Sequence, residues 1–172
     1  MKTLTLIERT KQKKEFSSIS DEIVESAINK ILKKFSKRDS FSEKEIKLIV
    51  KESRSELRKI SGLYQKSSKN REKLLAEGKI QELLQTHYST AERVSFYSKL
   101  NKIISSLKVN SILDIGCGLN PIALASPQIK YGACDIRDDE LSLIRKFFRK
   151  NNIRGNAFVC NVSNVNQQYP AA

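Results

Sequence analysis

The spacing of apolar residues along the chain changes near residue 108. Before that point, apolar side chains recur every three or four positions in segments rich in Lys, Glu and Ser, a spacing typical of amphipathic helices. After it, short apolar runs alternate with Gly and Asn, as strands do when they alternate with helices. Together the two patterns predict an α/β protein, helical first and then Rossmann-like. We assign residues 1–86 to an α-helical domain and residues 87–172 to the first half of a Rossmann-like domain.

Capping signals mark where the helices of the first half begin. Ser20 is placed to cap a helix with an apolar face that extends to Phe35. Ser42 and Glu45 form a Ser-x-x-Glu capping box, and the helix behind it should end near Gly62. These signals predict two helices, each with one buried face.

The second half of the chain predicts an alternation of helices and strands. A third helical stretch over about residues 71–85 is interrupted by Gly78, and Ser89–Glu92 is a second capping box. The helix behind this box should turn six residues inward: Val94, Tyr97, Leu100, Ile103, Ile104 and Leu107. Beyond it we predict strand Ser111–Ile115, a short helix from Pro121, strand Tyr131–Asp135, helix Asp139–Asn151 and strand Asn156–Cys160.

The turn after the first predicted strand carries the most specific chemical signal. Asp114, Gly116 and Gly118 form an Asp-x-Gly-x-Gly sequence at the end of an apolar run, as in enzymes that bind S-adenosylmethionine. Glycines let the backbone turn tightly and approach a ligand. Asn120 and Pro121 follow as a predicted cap and first helical residue. A glycine turn between strand and helix is often only a turn, but the strand, Asp114 and the Asn-Pro pair favour a cofactor site.

Residues at the ends of the next two strands complete this predicted site. Asp135 lies 21 positions beyond Asp114, where an acidic residue can accept hydrogen bonds from ribose hydroxyls. The alternative is a polar strand end beside a loop. Ile136 could pack on an adenine face, Asn161 could accept a hydrogen bond from the adenine amino group, and Val162 could offer backbone contacts.

Arg93 is the predicted partner of the cofactor's carboxylate. It falls in the first turn of its predicted helix, where a cation opposes the helix dipole and therefore needs another reason to be present. A bidentate bond to a carboxylate would supply that reason, and a surface ion pair with Glu92 is the alternative. We interpret His87 as a structural histidine, and a contact with the ligand is the alternative.

The chain is strongly basic, with a formal net charge of +13 over 172 residues. Such an excess favours a polyanionic partner, and a solvated lysine-rich surface is the alternative. We predict that binding of such a polyanion comes mainly from the helical half, with Lys33, Lys34, Lys37 and Arg38 as candidate phosphate contacts. The apolar runs are too short to cross a bilayer, and we expect a cytoplasmic protein.

The cysteines indicate neither a metal site nor a disulfide framework. Cys117, Cys134 and Cys160 are widely spaced, no Cys-x-x-Cys pair occurs, and His87 is far from them in sequence. We expect reduced thiols and no metal.

Several segments resemble the aminoglycoside-resistance 16S ribosomal RNA (guanine-N7) methyltransferases. They are His87–Arg93, Asp114–Pro121 and Cys134–Ile136, together with Ser20–Val24 and Ile60–Tyr64 in the helical half. The resemblance implies an S-adenosylmethionine-dependent enzyme that methylates N7 of a guanine in the decoding site of the small ribosomal subunit. It also implies a helical domain that binds ribosomal RNA, antibiotic resistance as the outcome, and a monomer.

The resemblance also assigns roles to individual residues. It implies Arg93 for the methionine carboxylate, Gly116 and Gly118 for the methionine loop, and Asp135 for the ribose. Asn161 departs from the family, which commonly has an acidic residue there. The resemblance implies that part of the pocket for the target base comes from the half of the domain that this chain lacks, and no residue present can be assigned as a general base or nucleophile. Methyl transfer to a ring nitrogen in any case works largely by aligning the nitrogen lone pair with the methyl group.

The resemblance further implies that the catalytic domain is truncated after its first half. We therefore expect residues 1–172 alone to transfer no methyl group, with Ser111–Ile115 left as an apolar edge strand. A non-catalytic RNA-binding protein with a vestigial cofactor fold is the main alternative. A small-molecule methyltransferase is a third, which the net charge and the basic helical domain argue against.

Overall fold

The computed structural model describes residues 3–35, 40–61 and 69–161, and the chain divides into two units, Met1–Leu63 and Tyr64–Ala172. In the first unit the helices are α1 (Thr3–Lys11), α2 (Asp21–Leu32) and α3 (Glu43–Ser61), with a 3₁₀ turn at Lys14–Phe16. Their apolar faces form the core, which includes Leu6, Phe16, Ile19, Ile23, Ile28, Ile31, Ile49 and Leu57. The amphipathic faces predicted for α2 and α3 are confirmed, whereas the sequence interpretation missed α1.

The capping box at the start of α3 forms as predicted. The Ser42 N–H donates to Glu45 Oε2 over 2.9 Å, and the Glu45 N–H donates back to Ser42 Oγ over 3.3 Å. Two backbone donors that a helix start leaves unpaired are thereby satisfied. Ser20 also precedes its helix, although its side chain makes no capping bond there.

The second unit alternates helices with three strands. Its elements are α4 (Arg71–Ala76), α5 (Ile80–Leu84), α6 (Tyr88–Arg93), α7 (Tyr97–Ser106), β1 (Ser111–Ile115), α8 (Asn120–Leu124), β2 (Lys130–Asp135), α9 (Asp138–Lys150) and β3 (Gly155–Val159). The strands are parallel in the order β1-β2-β3, with Ile115 opposite Cys134 and Asp135 opposite Val159. The predicted α/β class, helical first and then partly Rossmann-like, is confirmed.

The boundary between the units lies earlier in the chain than the predicted boundary between residues 86 and 87. Leu75 of α4 and Leu83 and Leu84 of α5 are buried in the core of the second unit, together with residues of β2 and α9. The composition of this stretch resembles that of the preceding helices, but its apolar side chains pack in the second unit.

The helix predicted behind Ser89–Glu92 is two helices in the structure. α6 starts one residue before that box, with His87 at its cap position and no side-chain capping bond, so this prediction was wrong. Of the predicted inward residues Tyr97 is buried, whereas Ile103 is 41% and Leu107 64% exposed. No described element covers that side of α7. None of the described helices is long and apolar enough to cross a membrane.

The capping box gives a stability prediction for the helical unit. Ser42→Ala should lower the free energy of unfolding by about 1 kcal/mol, because it removes the hydroxyl that accepts the Glu45 N–H at the start of α3. Ser55→Ala, at an exposed position inside the same helix, is the matched control and should stay within about 0.5 kcal/mol of wild type. Urea unfolding followed by far-ultraviolet circular dichroism measures both. Equal losses in the two variants would contradict a capping role.

Candidate functional site

The turn between β1 and α8 is held by its own backbone and by β2. Gly116 and Gly118 have left-handed φ angles of +67° and +49°, which side chains other than hydrogen tolerate poorly. The Gly116 and Cys117 N–H groups donate to the Cys134 carbonyl over 2.8 and 3.0 Å. An added Cβ at Gly116 would meet nothing within 4 Å, so one side of the turn faces open space.

Asp135 connects this turn to the end of β2. Its Oδ2 accepts the Gly118 N–H over 2.9 Å, and its Oδ1 accepts the N–H groups of Ile136 and Arg137 over 2.7 and 3.3 Å. Burial raises the pKa of the Asp135 carboxyl and nearby Glu140 adds to the rise, while the three N–H bonds oppose it. The carboxylate predicted from its spacing is therefore already bonded to the glycine turn.

Arg93 lies beside the same turn, although not for the reason given from the sequence. It is the last residue of α6, where a cation is favourable to the helix dipole, so the premise of a first-turn arginine was wrong. Its exposed Nη1 donates to Asn120 Oδ1 over 3.5 Å. Asn120 itself is the first residue of α8 and Leu119 occupies the cap position, so the predicted Asn120 cap was also wrong.

Two tyrosines that the sequence interpretation did not assign to the site contribute hydroxyl groups. Tyr97 donates to Asn120 Oδ1 over 2.6 Å, and Tyr131 donates to Asp114 Oδ2 over 2.8 Å. Burial raises the pKa of Tyr97 to about 12 and also raises that of Asp114. The tyrosine hydroxyls thus fix the side chains of Asn120 and Asp114 on either side of the turn. Tyr97 was predicted only as an inward apolar residue.

The remaining predicted residues lie at the carboxyl ends of β2 and β3. Ile136 and Asn161 are half-buried, and the Cys160 N–H donates to the Asp135 carbonyl over 3.0 Å, which places Asn161 beside the end of β2. Val162 lies outside the described residues.

Two of the cysteines are joined, contrary to the expectation of reduced thiols. Cys134 of β2 and Cys160 just after β3 form a disulfide, with their Cα atoms 5.6 Å apart. The two cysteines are 26 positions apart in sequence, so their spacing did not indicate that they pair. The register of the parallel strands β2 and β3 brings them together. Within the described ranges no group of three or more His, Cys, Asp or Glu side chains could hold a metal ion.

The first unit contains a basic cleft, which we define by the residues that line it. Its volume is about 610 Å³, and its lining residues are Arg9, Gln12, Lys13, Ile46, Lys47, Val50, Lys51, Arg54 and Arg58. Six of these are cations and none is acidic. The sequence interpretation missed α1, so it could not identify the cleft.

The cations of the basic cleft differ in how they are held. Arg54 donates to the carbonyl oxygens of Arg9 and Thr10 at the end of α1, over 2.5 and 3.1 Å. Lys13 and Lys47, like Lys51, form no ion pair with a described acidic residue. The cleft therefore combines a fixed arginine with exposed lysine ammonium groups.

Of the four predicted RNA contacts, two are in the described part of the first unit and do not line the basic cleft. Lys33 and Lys34 are exposed just beyond the end of α2, whereas Lys37 and Arg38 lie outside the described residues.

The glycine turn gives a prediction that separates backbone strain from side-chain contact. Gly116→Ala and Gly118→Ala should each lose about 1–2 kcal/mol of unfolding free energy, because both φ angles are left-handed. Gly118→Ala should lose more, since its Cβ would meet His87 Cε1 at 3.0 Å. Chemical denaturation of both variants, and of each combined with His87→Ala, measures this coupling. Equal losses and no coupling would show that the His87 contact does not constrain the turn.

One curated relative matches part of the sequence. A 16S rRNA (guanine(1405)-N(7))-methyltransferase from Serratia marcescens is 34% identical over 108 residues, which are 60% of this chain and 43% of that protein. The chain thus spans less than half the length of this relative. No family model matches the chain.

Solved structures match nearly the whole chain. The 16S rRNA methylase RmtB superposes with a TM-score of 0.73 at 22% identity and covers 96% of this chain and 67% of its own. The 16S rRNA methyltransferase RmtF, solved with S-adenosyl-L-homocysteine, gives a TM-score of 0.70 at 20% identity, with 96% and 65% covered. An rRNA methylase from Escherichia coli gives 0.70 at 22% identity, with 95% and 66% covered. The resemblance inferred from the motifs is confirmed, and the chain has the fold of the matched part of these rRNA methylases.

Proposed function

We propose that this chain is the RNA-binding and cofactor-binding part of an S-adenosylmethionine-dependent 16S rRNA methyltransferase. The observation that carries the proposal is the hydrogen bond from the Gly118 N–H to Asp135 Oδ2, with Arg93 beside Asn120 at the same turn. The curated relative and the solved structures named above support the reaction class.

The residues at this turn have the chemistry that the cofactor needs. A guanidinium such as that of Arg93 can bind a carboxylate through two parallel hydrogen bonds. The oxygens of Asp135 can accept hydrogen bonds from ribose hydroxyls, because a carboxylate has more acceptor sites than its three backbone partners use. The open side of Gly116 lets a ligand approach the backbone closely. On this donor set the residues fit S-adenosylmethionine.

The proposed reaction relies on alignment more than on proton transfer. When bound, S-adenosylmethionine supplies a methyl group on a sulfonium that a nitrogen lone pair can attack directly. Arg93 would fix the amino-acid end and Asp135 the ribose end, so that the glycine turn defines the position between them. Ile136 would pack against the adenine, and Asn161 would accept from its amino group. Effective transfer requires the reacting atoms to lie about 3–3.5 Å apart in line.

The helical unit would bind the RNA substrate. The basic cleft of α1 and α3 supports this role, because its lining brings six cations close together and includes no acidic residue, which suits successive backbone phosphates. Lys33 and Lys34, with Lys37 and Arg38, would extend the contact surface. Exposed lysine ammonium groups together with arginine guanidinium groups are typical of proteins that bind phosphates without reading the base sequence.

We further infer that the target is N7 of a guanine in the decoding site of the small ribosomal subunit, with aminoglycoside resistance as the outcome. This inference rests on the motif resemblance and on the named guanine of the curated relative.

Cofactor fragments can test the roles of Arg93 and Asp135 separately. Arg93→Ala should weaken binding of S-adenosylhomocysteine about tenfold or more, since it removes charge-assisted hydrogen bonds to the carboxylate. The same variant should bind 5′-methylthioadenosine, which lacks the amino-acid end, as wild type does. Asp135→Asn should weaken both ligands, because both contain the ribose. Isothermal titration calorimetry measures all four affinities.

Lys102→Ala, an exposed lysine on α7, is the control for loss of a positive charge in the second unit. Equal weakening of both ligands by Arg93→Ala would contradict its assignment to the carboxylate. Absence of any binding by the wild-type chain would refute the cofactor proposal and favour a non-catalytic RNA-binding protein.

Charge reversal can test whether the helical unit binds RNA. Replacing Lys13, Lys47 and Lys51 with Glu should weaken binding to small-subunit RNA strongly, because three cations of the basic cleft become anions. The slope of log affinity against log salt should fall by about two to three if each lysine contacts a phosphate. Reversal of Lys33, Lys34, Lys37 and Arg38 should weaken binding as well. Filter binding at several salt concentrations measures these effects.

A matched control separates local contacts from the general effect of net charge. Reversing Lys99, Lys102 and Lys130, which are exposed in the second unit, changes the formal net charge by the same amount as the cleft variant. If both triple variants lose equal affinity and equal salt dependence, the basic cleft is not the RNA site.

A further inference from the structure

A buried ion pair and a histidine lie beside the candidate cofactor site, and the proposed function gives them no contact with the cofactor. Arg71, at the start of α4, and Glu140, in the first turn of α9, form an ion pair of 2.9 Å with side chains 6% and 1% exposed. His87 is buried beside them, with its Nε2 3.8 Å from Glu140 Oε1.

The arginine fork joins three segments of the second unit. Besides Glu140, the Arg71 guanidinium donates to the Thr86 hydroxyl over 2.8 Å and to the Thr86 carbonyl over 3.0 Å. Thr86 immediately precedes His87, the cap residue of α6, and α6 ends at Arg93. The guanidinium therefore sets where the helix that presents Arg93 begins, relative to α9.

His87 connects the Arg71–Glu140 pair to the glycine turn. Its ring lies 3.0–3.5 Å from the position that a Cβ on Gly118 would occupy, and its Nδ1 is 3.0 Å from Ser89 Oγ. Burial and the positive charge of Arg71 lower the pKa of His87 to about 4, so a neutral ring supports the turn at neutral pH. The Gly118 N–H, on this turn, is bonded to Asp135.

A need for stability does not by itself explain a buried ion pair. The cost of removing two charges from water offsets most of their attraction, and apolar residues of similar volume often serve equally well. A guanidinium donates hydrogen bonds in fixed directions, so an arginine ion pair holds the groups that it joins in a fixed geometry.

We propose that Arg71 and Glu140, acting through Thr86 and His87, are positioning residues that fix the Gly116–Gly118 turn, Asp135 and the amino end of α6 in one arrangement. Resting on the proposed function, this inference identifies residues that control the cofactor site without touching the cofactor. It predicts that the arrangement of the turn can be lost while the unit stays folded.

The double variant Arg71→Met/Glu140→Leu tests the proposal, because it replaces the charged pair by apolar side chains and leaves no unpaired buried charge. We expect its thermal unfolding midpoint to stay near that of wild type. Its affinity for S-adenosylhomocysteine should fall about tenfold. The hydrogen exchange of the Gly118 amide, measured by NMR, should become about tenfold faster, while the amides between β2 and β3 keep their protection.

The surface ion pair between Lys146 and Glu72 provides a matched control, since it joins the same two helices at exposed positions. Lys146→Gln/Glu72→Gln should change neither the affinity nor the Gly118 exchange. A folded Arg71→Met/Glu140→Leu protein with wild-type affinity and wild-type Gly118 exchange would overturn the proposal.

A conservative variant decides the question if the double variant does not fold. Arg71→Lys keeps the charge beside Glu140 but cannot make both bonds to Thr86, so Gly118 exchange should again accelerate and affinity fall. Unchanged exchange in folded Arg71→Lys would overturn the proposal. Because exchange is measured without ligand, this result stands even if the wild-type chain binds no S-adenosylhomocysteine and the proposed function itself fails.

Discussion

The candidate site depends on one hydrogen bond, from the Gly118 N–H to the Asp135 carboxylate. β1 and β2 bring their carboxyl ends together, but backbone pairing stops where the turn begins. Beyond that point the turn is held by bonds to the Cys134 carbonyl and to Asp135. The Asp135 carboxylate thus holds the glycine turn, and in the proposed site it would also accept hydrogen bonds from the ribose hydroxyls. One side chain would then both fix the turn and bind the cofactor. This carboxylate is buried among the groups that it joins, and burial raises its pKa.

The two units concentrate charge in opposite ways. The second unit buries the Arg71–Glu140 ion pair, with the neutral ring of His87 beside it, where water is excluded, so each is held by specific partners. The basic cleft of the first unit keeps lysine ammonium groups exposed, and only its arginines make described contacts with acidic residues or carbonyls. Buried charges of this kind fix geometry, whereas exposed cations bind a polyanion in a way that salt weakens.

Much of the fold could be predicted from the sequence because local patterns decide it. The Ser42–Glu45 capping box and strand Ser111–Ile115 form at the predicted positions. The start of α6 could not be predicted in the same way, because Ser89–Glu92 matches a capping box while the chain begins the helix one residue earlier, at Tyr88. The Cys134–Cys160 disulfide depends on strand register, which spacing alone does not reveal. For the cofactor site, spacing indicated the glycines and Asp135 at strand ends, but the bond between Gly118 and Asp135 is a tertiary contact.

The contacts that hold the glycine turn are important because, within the described sheet, β1 pairs with another strand on one side only. Leu113 and Ile115 are 37% and 46% exposed, and the apolar side of α7 is exposed as well. A central strand fixes its neighbours through two ladders of hydrogen bonds, whereas an edge strand is held by one and can shift more easily. The glycine turn extends from this weakly held strand. Its geometry therefore depends on the groups that hold it, which among the described residues include the Cys134 carbonyl, the Asp135 carboxylate and the His87 ring.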